Sequence, residues 1–159
     1  MAFTAQDVKK LREMTNVGMM DCKKALQATD GDMDKAVDWL REKGLAKAAK
    51  KADRIAAEGV AFATVVDGVG VVIEVNSETD FAAKTDAFMD LVKNLAVVVA
   101  KQNPADVEAL KACTYPNSNL TVTEIMQEKV MSIGENMQIR RFARFPEHTS
   151  CLLYTSDAA

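Results

Sequence analysis

The side chains able to do covalent chemistry are few and scattered. His148 is the one histidine of the chain, which removes most imidazole-based acid–base and zinc chemistry. Three cysteines, Cys22, Cys113 and Cys151, form an odd set without metal-ligand spacing and read as reduced thiols. Cys22 stands beside Lys23 and Lys24, the charge setting of an activated thiolate, but no general base is near it in sequence. Its helical position points to a packed residue instead. Glu74, Glu78, Asp80 and Asp86 offer oxygens for a divalent cation, yet they lack the dense spacing of a calcium loop and Phe81 interrupts them. Gly68-Val-Gly70 opens a strand rather than a helix, and neither a third glycine nor a lysine follows as a phosphate cradle requires. No catalytic set, metal or cofactor is therefore expected, and the composition points away from an enzyme.

Two features suit contact rather than catalysis. Met19-Met20 follows a glycine at a helix start and precedes Lys23-Lys24. Adjacent residues on a helix cannot both face one small core, so one methionine should be exposed as a soft contact residue. Phe81 is a large aromatic inside the polar stretch Ser77-Glu-Thr-Asp80, just past a strand end. It either packs under the next helix or stands at a loop tip as an anchor for a partner's pocket.

The elements that would hold these residues follow from periodicity. Residues 1–45 read as three short helices. Thr4 and Asp7 open the first, with Val8, Leu11 and Met14 on one face, and the second runs from about Met19 to Ala28. Asp32 caps the third, whose Met33, Ala36, Val37 and Leu40 make an apolar stripe, and Gly44 is expected to close it. Residues 46–56 read as a basic helical linker. Beyond it the period changes to two. Val60–Val66 and Val69–Asn76 are strands joined by Asp67-Gly68, a type I′ hairpin signal. A helix is expected near Lys84–Lys101, a short one from Pro104 to about Ala112, and another opened by the capping box Thr121-Val-Thr-Glu124 and stopped at Gly134. Met137–Phe145 reads as a third strand. The fold class is α+β: a three-helix module, then a small antiparallel sheet packed with helices, with one sheet edge left in need of a partner.

Charge and composition narrow the partners. Hydrophobic residues are 48% and charged residues 27%, the balance of a folded globular chain. Residues 1–54 hold 12 Lys and Arg against 9 Asp and Glu, and the rest of the chain holds 8 against 14. The basic excess lies mainly in 41–54, where a solvated, Ala- and Lys-rich helix is a better reading than an RNA contact. No apolar run is long enough to cross a bilayer, and the start of the chain has no secretory signal, so a cytoplasmic location is expected.

Thr15-x-x-Gly18-Met-Met-Asp-Cys-Lys-Lys-Ala-Leu26, Gly31-Asp32, Lys47-Ala-Ala-Lys-Lys51, Asn76-Ser-Glu-Thr-Asp-Phe81, Ile133-Gly-Glu-Asn136 and Arg140-Arg-Phe142 together resemble bacterial elongation factor Ts, over roughly residues 3–145. The resemblance implies a guanine-nucleotide exchange factor for elongation factor Tu, bound in its GDP-bound and nucleotide-free states. It implies a module of the ubiquitin-associated type over residues 1–45 and a first core subdomain over 57–145. It also implies that Thr79, Asp80, Phe81 and Ala82 dislocate the partner's magnesium ion, Phe81 being the inserted aromatic. Met19, Met20 and Lys23 would meet a helix of the partner's G domain, and Ile133 and Gly134 would add a contact. Neither direct nucleic-acid binding nor membrane binding is implied.

Residues 146–159 lack periodicity, caps and charge pattern, and read as a non-family tail, disordered or artefactual. Family members continue past the strand near Phe145, so the chain reads as a fragment whose exchange activity truncation would impair. Self-association through the unpaired sheet edge is a further expectation. A different class of reading is a non-catalytic adaptor, with the three-helix module binding a partner and the α+β part dimerising; it gives Phe81 no role outside the core.

Overall fold

A computed structural model describes residues 3–15 and 17–146, so most of the segment from 146 to 159 lies outside the described residues. The chain divides into two compact units, Met1–Asp53 with Gln127–Gly134, and Arg54–Met126 with Glu135–Ala159.

The first unit is helical. Helix α1 (Ala5–Thr15) opens with a reciprocal cap: the Thr4 amide and hydroxyl donate to Asp7 Oδ2 at 2.7 and 2.8 Å, and the Asp7 amide donates to Thr4 Oγ1 at 3.3 Å. Helix α2 spans Met19–Ala28, and α3 spans Met33–Lys51, capped by the Asp32 side chain on the Lys35 amide. Val8, Leu11, Cys22, Ala25, Leu26, Ala36 and Leu40 form its core, with Met131 from helix α7 (Val122–Ile133). Met14 does not join Val8 and Leu11 there; it is exposed. Nor does Gly44 end α3. The helix runs two turns further, because buried Gly44 lies against Met131 and the Gln127 carbonyl, and that packing outweighs glycine's cost of about 1 kcal/mol in a helix. Arg41 Nε reaches Glu128 Oε1 at 3.1 Å, and the Lys51 ammonium donates to the Gly134 carbonyl, so α3 is tied to the last turns of α7 at two points.

The second unit is an antiparallel sheet of order β1-β2-β3, with β1 at Glu58–Val66, β2 at Val69–Ser77 and β3 at Met137–Phe145. Asp67 (φ 50°) and Gly68 (φ 82°) are both left-handed, as a type I′ turn requires, and set Val66 opposite Val69. Gly59 is needed for a different reason. With φ 147°, a side chain there would place its Cβ 2.3 Å from the Val75 carbonyl. Between Glu74 and Val75 the β2–β3 register slips, and this bulge lets the consecutive Arg140 and Arg141 both reach the Glu74 carboxylate, at 3.6 and 2.7 Å.

Val71, Ile73 and Val75 of β2 are buried, and helix α5 (Asp86–Gln102) packs on the sheet through Phe88, Leu91, Val92, Leu95 and Val99. Each such burial contributes roughly 1.5–3 kcal/mol. A four-residue helix, α4 (Asp80–Ala83), precedes α5 where the sequence suggests an open loop. Helix α6 spans Val107–Ala112 and begins after Asp106, which caps Ala109, rather than at Pro104. The Thr121–Glu124 capping box opens α7 as its spacing predicts. Among the described residues no helix is long and apolar enough to cross a membrane.

Candidate functional site

The short helix α4 is where the polar stretch after β2 becomes a built structure. Thr79 is its N-cap, accepting the Ala82 amide on Oγ1 at 3.3 Å. Its own hydroxyl proton and amide are both taken by one carboxylate: Thr79 Oγ1 donates to Glu135 Oε1 at 2.6 Å, and Thr79 N donates to Glu135 Oε2 at 3.0 Å. The buried Ser77 hydroxyl donates to the Thr79 carbonyl at 2.9 Å. At the other end, the Thr85 hydroxyl donates to the Ala82 carbonyl at 2.7 Å, and Thr85 then caps α5. Ala82 and Ala83 are buried beneath the turn.

A second carboxylate answers the first. Glu78 Oε1 accepts the Asn136 amide at 2.6 Å, while Asn136 Nδ2 donates to the Arg54 carbonyl at 2.8 Å and Arg54 lies 3.5 Å from Glu78 Oε2. The segment leaving β2 and the segment entering β3 thus exchange carboxylate-to-amide bonds, Glu78 with Asn136 and Glu135 with Thr79. Hydrogen bonds to ionised groups are short and stronger than neutral ones.

Against this fixed backing Phe81 points outward, 81% exposed. The packed alternative for Phe81 is thereby removed. Asp80 is exposed beside it and pairs with Lys84 at 2.7 Å; that hydrogen bond holds the Asp80 carboxyl below its ordinary range and raises the Lys84 ammonium.

The remaining expected contact residues lie in the first unit. Met19 and Met20 are both exposed, where one was expected to be, and Lys23 is exposed on the same helix. Two methionines escape the core because Cys22, Ala25 and Leu26 already fill the inward face of α2. Ile133 is half-buried at the end of α7, and the exposed Gly134 follows it.

Other candidate chemistry disperses. Cys22 is fully buried, its thiol 3.6 Å from the Val17 carbonyl, and burial pushes its pKa up, away from thiolate reactivity. Glu74 serves the two arginines of β3, Glu78 serves Asn136, and Asp80 serves Lys84. Among the described residues no three His, Cys, Asp or Glu side chains gather as a metal site.

Glu135 and Asn136 are the residues whose part in the site sequence reading misses, although both stand in the Ile133-Gly-Glu-Asn136 string. Their only local signal is a carboxylate immediately after a helix-stopping glycine. Residues 78–155 match the family model for Elongation factor TS, a span that begins at Glu78, takes in the whole turn and both carboxylates, and leaves Met19, Met20 and Lys23 outside it. Over those residues, with the braced turn and the sheet behind it, the chain is elongation factor Ts-like.

Proposed function

We propose that this chain promotes release of GDP from elongation factor Tu by inserting Phe81, with Thr79, Asp80 and Ala82 as its frame. The observation that carries the reading is a fully presented aromatic on a turn whose backbone is held from three sides. Nucleotide-exchange on elongation factor Tu is the role of the Elongation factor TS family, whose model match includes this turn. A G protein holds its nucleotide through backbone groups around the phosphates and a bridging magnesium ion. An aromatic wedge that shifts those elements removes support from the metal and weakens nucleotide binding. The coupling is reciprocal, so incoming nucleotide weakens the factor's hold in turn and the factor is released. No bond is made or broken, and the process requires no acid, base or cofactor on this side of the interface.

In the same reading Met19, Met20 and Lys23 supply binding through the three-helix unit, and Ile133 and Gly134 add contact at the end of α7. Among the described residues the outer edges of β1 and β3 pair with no further strand, and self-association would use one such edge, which an equilibrium sedimentation run over a concentration series would detect.

The test is release of labelled GDP from purified elongation factor Tu, comparing the chain, its Phe81→Ala variant and a version ending at Phe145. Acceleration that falls with Phe81→Ala while circular dichroism is unchanged supports insertion. Binding without acceleration by any version overturns exchange by this chain and fits a truncated factor that keeps its interface, or an adaptor.

A further inference from the structure

The geometry points to Glu135 as a positioning residue for Phe81: its carboxylate fixes the turn that presents the ring, and so sets the maximal rate of nucleotide release rather than the affinity for the partner. The inference rests on the insertion reading above.

Thr79 has two donors to satisfy, its hydroxyl and its amide. Its Oγ1 already accepts the Ala82 amide as the N-cap of α4, so its hydroxyl proton has to go elsewhere. Its amide lies at the N-terminal edge of a helix of four residues, too short to hold itself together. One carboxylate placed opposite both donors settles both, at 2.6 and 3.0 Å. Glutamate is suited to this because it is acceptor-only when ionised, with two oxygens in one plane. Glutamine would turn an NH2 toward one of the two donors and leave that donor unmet.

The placement of Glu135 is fixed independently of Thr79. Glu135 lies two residues before β3, and its neighbour Asn136 is held by Glu78 through the backbone amide and by the Arg54 carbonyl through its side chain. Strand pairing of Ser77 with Met137 brings the two segments level. Phe81 is two residues from the gripped threonine and exposed, so Glu135 acts on the ring through the backbone of the turn. A loosened turn would still offer Phe81 to a partner, but with the ring spread over many orientations. Binding through other surfaces would persist while productive insertion became rarer, which lowers the maximal rate.

Two measurements on the full chain test this. In the first, GDP release from elongation factor Tu is followed at rising concentrations of the chain, of Glu135→Gln, of Thr79→Val, of the double variant and of Phe81→Ala. Glu108→Gln, which alters an exposed carboxylate paired with Lys111 on α6, is the control and should be indistinguishable from the parent. Loss of a hydrogen bond to a charged group predicts a maximal rate about tenfold lower for Glu135→Gln, with the half-saturating concentration moving by less than about twofold. The double variant should lose less than the two single losses combined, since both remove the bond between the Thr79 hydroxyl and Glu135 and each alters one further bond. An unchanged maximal rate in Glu135→Gln, with Phe81→Ala still impaired, overturns the positioning role and leaves insertion standing. No effect of Phe81→Ala overturns insertion itself. A rise confined to the half-saturating concentration also overturns the positioning role, making Glu135 a binding residue.

In the second measurement, amide hydrogen exchange of the free chain is compared with that of Glu135→Gln, without any partner. Thr79 and Ala82 should lose protection while Ile73 and Val75 keep theirs. Unchanged protection at Thr79 and Ala82 overturns the inference. Loss that spreads to Ile73 and Val75 also overturns it, because Glu135 would then support the sheet rather than the turn.

Discussion

Two of the exposed hydrophobic regions among the described residues, the methionine pair on α2 and the phenylalanine on α4, are built on opposite principles. Met19 and Met20 sit at the start of an ordinary amphipathic helix with no side chain capping it, on a residue type with three rotatable bonds. Phe81 has two rotatable bonds and stands on a turn held by side-chain hydrogen bonds from Ser77, Glu135 and Thr85. Flexible side chains on a regular helix can adapt to whatever face they meet. A stiff side chain on a braced turn can deliver a shape to one place. The first arrangement suits holding a partner, and the second suits deforming it.

The largest effect should come from the stiff side. Phe81→Ala removes the one large ring on the turn, and hot-spot aromatics at interfaces cost about 2–4 kcal/mol on truncation, so exchange efficiency should fall on the order of 30-fold or more. Phe81→Leu should recover little, because a branched aliphatic side chain does not reproduce a flat ring. Stopped-flow release of labelled GDP measures both. Full activity in Phe81→Leu would show that the site needs only apolar volume, and the contrast between the two regions would collapse.

Next comes the support of the sheet. Gly59→Ala should lower stability by about 1–3 kcal/mol, since its Cβ would meet the Val75 carbonyl at 2.3 Å in a backbone conformation that alanine resists. Urea unfolding measures it. Because Gly59 pairs with Asn76, just before the segment that carries Ser77 and Thr79, exchange should fall in step with stability. Activity preserved at a lowered midpoint would mean that the turn is held by its carboxylate clasp alone.

The soft side should show a smaller and more forgiving effect. Met19→Ala with Met20→Ala should raise the half-saturating concentration by about fivefold, near 1 kcal/mol, and leave the maximal rate alone. Replacing both with leucine should restore binding almost fully, as volume-conserving apolar swaps usually do at about 1 kcal/mol or less. A lowered maximal rate in the alanine pair would place these residues in the exchange step and erase the division of labour.

What was legible in the sequence was local. The Thr4–Asp7 and Thr121–Glu124 caps, the Asp67-Gly68 turn and the bounds of β3 each depend on residues within a few positions of one another, and the structure has them as read. Where a distant contact decides, the reading fails. Gly44 looks like a helix end until Met131 is packed against it. Met14 has the right spacing to be buried with Val8 and Leu11, but the core is filled from α2 and α3 before it is reached. The clasp of the turn links residues 79 and 135, and only the pairing of β2 with β3 makes them neighbours. Phe81 could be singled out as an aromatic among polar residues; the device that fixes it could not.

The smallest expected effect lies beside the ring, and it separates posture from charge. Asp80 and Lys84 are exposed, and such pairs contribute little to stability. The sign of that contribution is nonetheless fixed. The Asp80 carboxyl is held below its ordinary value, chiefly by the Lys84 hydrogen bond, so its contribution is present above about pH 4, the unfolded value, and is lost as pH falls through the lower folded value. Lys84 is raised by the same bond, so its contribution is present below about pH 10.4 and is lost as pH rises through the higher folded value. Asp7 and Asp32 are lowered too, each chiefly by a backbone amide, so acid weakens the parent at several places at once. The difference between the parent and Asp80→Asn isolates the pair: a small gap in unfolding midpoint at neutral pH that closes on acidification. If exchange is as fast in Asp80→Asn as in the parent, the ring is held by the Glu135 and Thr85 bonds and Asp80 is a bystander to its posture. If exchange falls while the unfolding midpoints coincide, the charge beside the ring acts on the partner directly, and stiffness alone no longer distinguishes the turn from the methionine pair.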